Sequence, residues 1–179
     1  MQKKQIAAWL GVCCISMLTH ATTPYGVNLS YLLIDKDPQY LRGYRFSFLY
    51  QPPTWMWNHI HIFWDFGFGH WWVNHNVPYG SLNSYAIAPV FRFFILNNNY
   101  VSPFVDISIG PSYLTKTRIS DRNLGMHFSF QDQIGIGATF GAQKHFTASL
   151  SALHYSNGSL CAMNAGITVP LMLNLAYQF

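Results

Sequence analysis

Eight stretches of this chain alternate between apolar and polar or small residues, and a period of two dictates strands with one apolar face each. Residues 27–34 put Val27, Leu29, Tyr31 and Leu33 on one face, and residues 42–50 set Tyr44, Phe46, Phe48 and Tyr50 against Gly43, Arg45 and Ser47. In residues 59–69, Ile60, Ile62, Trp64, Phe66 and Phe68 oppose His59, His61, Asp65 and Gly67. Residues 85–95 and 101–110 repeat the pattern, and residues 126–140 set Phe128, Phe130, Ile134 and Ile136 against Ser129, Gln131, Gln133 and Gly135. Residues 146–156 and 167–179 complete the set. A soluble β-sandwich alternates too, but it carries charges on its outer faces. Here the polar face is mostly Ser, Gly, Gln and Asn. Its few charges, Arg45, Asp65, Arg92 and Asp106, balance in sign, as ion pairs filling a narrow interior do. The expected fold is all-β: an eight-stranded antiparallel transmembrane β-barrel, an even strand count as closure in this class needs.

Composition points the same way. Charged residues make up 9% of the chain and aromatics 17%, where soluble domains carry about 25% charged residues. The N-terminus has the pattern of a signal peptide over residues 1–21: Lys3 and Lys4, an apolar run from Ile6 to Leu18, then Thr19-His20-Ala21. The barrel is expected over residues 22–179. Removing the leader leaves eight Lys and Arg against six Asp, so the net charge falls from +4 to +2. It also removes Cys13 and Cys14, and Cys161 then has no disulfide partner in the chain. No segment of the mature chain offers 18 consecutive apolar residues, which excludes a helical span. An exported, charge-poor, aromatic-rich chain of this kind is expected in the outer membrane.

Connections 51–58, 97–99 and 142–144 read as turns on one side, and 36–40, 70–84, 111–125 and 157–166 as the generally longer loops of the cell exterior. Trp55, Trp57, Trp71, Trp72 and Tyr79 fall near strand ends, as aromatic girdles do. This topology runs the seventh segment upward, with His154 and Ser156 near its outer end and on its apolar, lipid-facing side. Two readings stand there. Polar residues cost little at the membrane boundary, so the pair suits a plain rim. Equally, a His within reach of a Ser raises the nucleophilicity of its hydroxyl, and the outer leaflet offers ester bonds to attack. Asn157 has an amide donor and Gly158 an approachable N–H, both suited to an oxyanion.

His154-Tyr155-Ser156-Asn157, followed by Asn164-Ala165-Gly166 and a terminal amphipathic strand, resembles the lipid A 3-O-deacylase (PagL) family. The close match covers about the last 25 residues; elsewhere the likeness is architectural. The resemblance implies an outer-membrane barrel with a lipid-facing serine esterase site that hydrolyses the ester-linked acyl chain at the 3-position of lipid A, the anchor of lipopolysaccharide. It implies His154 as base, Ser156 as nucleophile, Asn157 and Gly158 as oxyanion donors, and Asn164 as a supporting site residue. The family's acid is a glutamate fourteen residues after the histidine, and that position is Thr168 here. Glutamate is absent from the whole chain. Strict alternation turns Thr168 inward, while a bulge at Pro170 would reset the register.

Three outcomes follow: a dyad without an acid, a catalytically silent structural or adhesion-type barrel, or an aspartate from a neighbouring strand. Asp132 interrupts the outward face of the sixth segment. If outward faces pair, it stands opposite His154 or Ser156. Other features carry less. His59 and His61 lack a third ligand, so no metal is expected, nor any cofactor. Lys116, Arg118 and Arg122 suit either lipid A phosphates or a solvated basic loop. No nucleic-acid signature is present, a homodimer is left open, and another membrane lipid stands as an alternative substrate.

Overall fold

Alternation becomes eight long strands: β1 (Tyr25–Ile34), β2 (Leu41–Tyr50), β3 (Ile60–Val73), β4 (Ser81–Phe94), β5 (Val101–Leu114), β8 (Phe128–Phe140), β9 (Phe146–Ser156) and β10 (Ile167–Gln178). A short pair, β6 (Arg118–Ile119) and β7 (Arg122–Asn123), forms a hairpin between β5 and β8. The computed structural model describes residues 23–73, 77–98 and 100–179. The expected signal peptide, residues 1–21, lies outside the described residues. Every barrel strand pairs antiparallel with its neighbours in the closed order β1-β10-β9-β8-β5-β4-β3-β2. Closure matters because no water reaches a backbone N–H or C=O in hydrocarbon, where each unpaired group costs several kcal/mol.

Leu29, Tyr31, Phe46, Phe48, Ile107, Ile109, Ile134, Ile136 and Leu175 project outward and are exposed. The protein is thus an outer-membrane β-barrel with its apolar face to lipid. The interior has layers. In the middle, Arg45 grips Asp65 through two hydrogen bonds of 2.9 and 2.6 Å and donates a third to Ser47. Gly67 faces this guanidinium, and any side chain there would collide with it. Lower down, Arg92 and Asp106 form a second two-point pair at 2.9 and 2.8 Å, with Phe104 stacked on the guanidinium. The balanced interior charges are therefore ion pairs. His61 sits edge-on to Phe94 nearby, whereas His59 is exposed.

At the end bearing loops 35–40, 115–127 and 157–166, which loop length marks as the outer end, the interior turns apolar. Leu32, Leu41, Trp71, Leu82, Leu114, Ile119, Leu153, Ile167 and Met172 pack there as one buried cluster. This corrects the loop expected at residues 70–84. β3 runs on to Val73 and β4 begins at Ser81, and Trp71 points inward, fully buried, with Nε1 bonded to Ser84 Oγ at 2.9 Å. Trp71 belongs to the interior, not to the girdle.

Candidate functional site

β9 places the two residues that alternation had singled out. Leu153, Tyr155 and Asn157 are buried inside, so His154 and Ser156 project from the opposite side of the strand, half-buried. Tyr155 locks that rotation. Its hydroxyl donates to Gln131 Oε1 at 3.0 Å and lies 3.1 Å from Ser84 Oγ, with the ring edge-on to Trp71.

Neighbouring strands flank His154 with two polar residues. In the β8–β9 ladder Asp132 pairs with His154, and in the β9–β10 ladder Thr168 does. Asp132 therefore stands opposite the histidine, not the serine. Thr168 reaches the outward face because β10 is bulged: Val169 pairs with Leu153, and the next pair is Met172 with Ser151. Pro170 and Leu171 share the space opposite Ala152, and proline, having no N–H to leave unpaired, suits that place. Strict alternation fails here and the bulge reading holds. Thr168 Oγ1 lies 3.0 Å from His154 Nδ1. Asp132 makes no hydrogen bond or ion pair among the described residues, and its Oδ1 is buried without a partner. Nor does a hydrogen bond join His154 to Ser156 among the described residues.

The loop after β9 wraps closely round this row. Asn157 is buried, and its amide donates to Leu124 O at 3.1 Å and Met163 O at 2.7 Å. Both amide hydrogens are thereby committed, which makes Asn157 a loop tie and takes its side chain out of the set of free donors. Its backbone N–H donates to Asn164 Oδ1 at 2.9 Å. Gly158 adopts φ +61°, and its N–H makes no hydrogen bond among the described residues. Gly166, at φ +65°, passes so close to the imidazole that an added Cβ would lie 3.0 Å from His154 Cε1. Ser156, Asn157, Asn164 and Gly166 border one gap too narrow for a water molecule.

Arg122 clamps the loops together. It donates to the carbonyls of Ala165 and Gly166 and pairs with Asp37 at 3.4 Å, while the backbones of Asp37 and Thr168 exchange hydrogen bonds. Of the three basic residues that suited either lipid A phosphates or a solvated loop, Arg122 is thus engaged within the protein. Arg118 lies over the Tyr79 ring at 5.8 Å, and Lys116 is exposed. The clamp was not legible in the sequence, since its acceptors are backbone carbonyls.

Comparison with known proteins gives a consistent result. Residues 40–178 match the family described as lipid A 3-O-deacylase (PagL). A lipid A deacylase PagL of Pseudomonas aeruginosa is 32% identical over 105 residues, 59% of this chain and 58% of that relative, so the match spans somewhat over half its length. Another of that name from Bordetella bronchiseptica is 25% identical over 165 residues, covering 88% and 85%. The crystal structure of the outer membrane enzyme PagL superposes with a TM-score of 0.71 at 25% identity, covering 86% of this chain and 99% of that one.

Proposed function

The chain belongs to the lipid A 3-O-deacylase family, and on that premise we propose that it is an outer-membrane serine esterase that hydrolyses the ester-linked acyl chain at the 3-position of lipid A. One observation carries the reading. His154 and Ser156 project from the outer end of β9 on the side facing lipid, within the family-matched segment. An ester at the boundary of the outer leaflet lies at that height.

In this reading the side chain of Ser156 rotates toward the imidazole when substrate binds. His154 Nε2 takes the hydroxyl proton as Oγ attacks the ester carbonyl. Negative charge then develops on the carbonyl oxygen. The unengaged N–H of Gly158 and the amide of Asn164 are the donors proposed to meet it, while Asn157 holds their loop. Collapse expels the 3-hydroxyl of the sugar, which receives the proton from the imidazolium. Water, deprotonated in turn by His154, releases the fatty acid from Ser156. The Thr168 position supports a second reading, a silent barrel, because the family's carboxylate is missing there.

Incubating the folded protein with lipid A and following its mass separates the two. Loss of one hydroxyacyl chain, abolished in Ser156→Ala and His154→Asn, is the expected result. Unchanged lipid A in both detergent and native membranes would favour the silent barrel, and loss of another chain would move the substrate assignment.

A further inference from the structure

A carboxylate in a Ser-His-acid site does two things: it fixes the tautomer and orientation of the imidazole, and it stabilises the imidazolium that forms. We propose that this chain divides the two tasks, with Thr168 positioning His154 and Asp132 supplying the compensating charge from the opposite strand. The inference rests on the esterase reading above. The β-sheet register sets the four residues Asp37, Thr168, His154 and Asp132 in one lateral row, with His154 between Thr168 and Asp132.

Thr168 is built for the first task only. Its hydroxyl sits 3.0 Å from His154 Nδ1. When Nδ1 carries the proton and donates to Oγ1, the lone pair of Nε2 is left free to act as base. Gly166 confines the other edge of the ring, so the orientation is held from two sides. A hydroxyl, however, bears no negative charge. Asp132 has the complementary properties. Directly opposed residues place their Cβ atoms about 5 Å apart. Its Oδ1 is buried and unpartnered, an arrangement that calls for an explanation. Among the described residues Asp37, at the far end of the row beyond Thr168, pairs with Arg122. Asp132, without an ion-pair partner among the described residues, thus stands opposite the imidazole beside lipid that screens its charge poorly.

The division predicts opposite signatures for the two residues. A carboxylate favours the imidazolium that forms as the neutral ring takes the serine proton. Asp132→Asn should therefore lower the rate by roughly a hundredfold and move the acid limb of the pH–rate profile to lower pH. Thr168→Val should lower the rate about tenfold without moving that limb, Thr168→Ser should restore it, and Thr168→Glu should raise the rate and move the limb to higher pH. NMR titration of His154 in micelles gives a readout independent of turnover. If Asp132→Asn leaves that titration unchanged, or Thr168→Val moves it as far, the division is wrong. If wild type is inert on lipid A yet His154 titrates with Asp132-dependence, the esterase reading fails and the electrostatic assignment stands.

Discussion

Gly158 follows β9 at φ +61°, a conformation that costs an L-residue roughly 1–2 kcal/mol. Space is also short: an added Cβ would lie 2.9 Å from the ring of Phe130. Gly158→Ala should therefore shift the one backbone N–H the proposed oxyanion site depends on, while leaving the barrel strands alone. Deacylation should fall at least about tenfold, in line with removal of one oxyanion donor, and the heat-dependent gel mobility of the folded barrel should be retained. Wild-type rates in a folded Gly158→Ala protein would remove Gly158 from the proposed donors. Ser156 and His154 were readable from the sequence because two polar side chains end an apolar row. Asn157 read from the sequence as an oxyanion donor, whereas its amide is committed to the loop. Its buried tie to Leu124 and Met163 depends on where two loops meet, and no local pattern encodes that.

At the scale of the strand, the bulge in β10 decides which residues share the site. Ile167 and Val169 are fully buried, and Thr168 between them faces outward. Past the bulge the parity reverses, with Met172 and Asn174 buried and Leu173 and Leu175 exposed. Deleting Leu171 should restore regular pairing with β9 and turn Thr168 inward, away from His154. The expected result is a folded barrel, by far-UV circular dichroism, whose activity matches that of Thr168→Val; full activity would show that the bulge does not position the site. Strand positions and faces were legible because lipid outside and small polar residues inside impose a clean period of two. Strand ends were not. Toward the outer boundary of the bilayer the sense of alternation inverts: Trp71, Val73 and Leu82 turn inward while His70 and Asn83, joined at 2.6 Å, face out. A reader following the apolar face stops where that inversion begins. His154 and Ser156 lie in the same zone, and the register sets Thr168 and Asp132 beside His154 there.

The whole barrel combines a paired polar middle with an apolar outer cap, and each part makes a separate prediction. Asp65→Asn would leave the Arg45 guanidinium, 2% exposed, without its counter-ion. Removing one partner of a buried pair costs about 3–5 kcal/mol, and urea unfolding of the refolded barrel should show a loss of that size. A loss below about 1 kcal/mol would mean that water hydrates the interior around Arg45. The cap bears on transport. An eight-stranded barrel is only wide enough for side chains to fill, and here Trp71, Leu41, Leu114, Ile119 and Ile167 close the outer end with essentially no exposure. Below them Tyr155 and Ser84 bond across the lumen, Gln131 bonds Tyr155, and the Arg45–Asp65 and Arg92–Asp106 pairs, each between neighbouring strands, occupy it further down. An ion would have to part an apolar plug and two ion pairs to pass. Planar bilayers containing the purified protein should therefore show no stepwise conductance. Conductance steps that persist after repurification would mean that the cap opens, and that the interior serves passage as well as support.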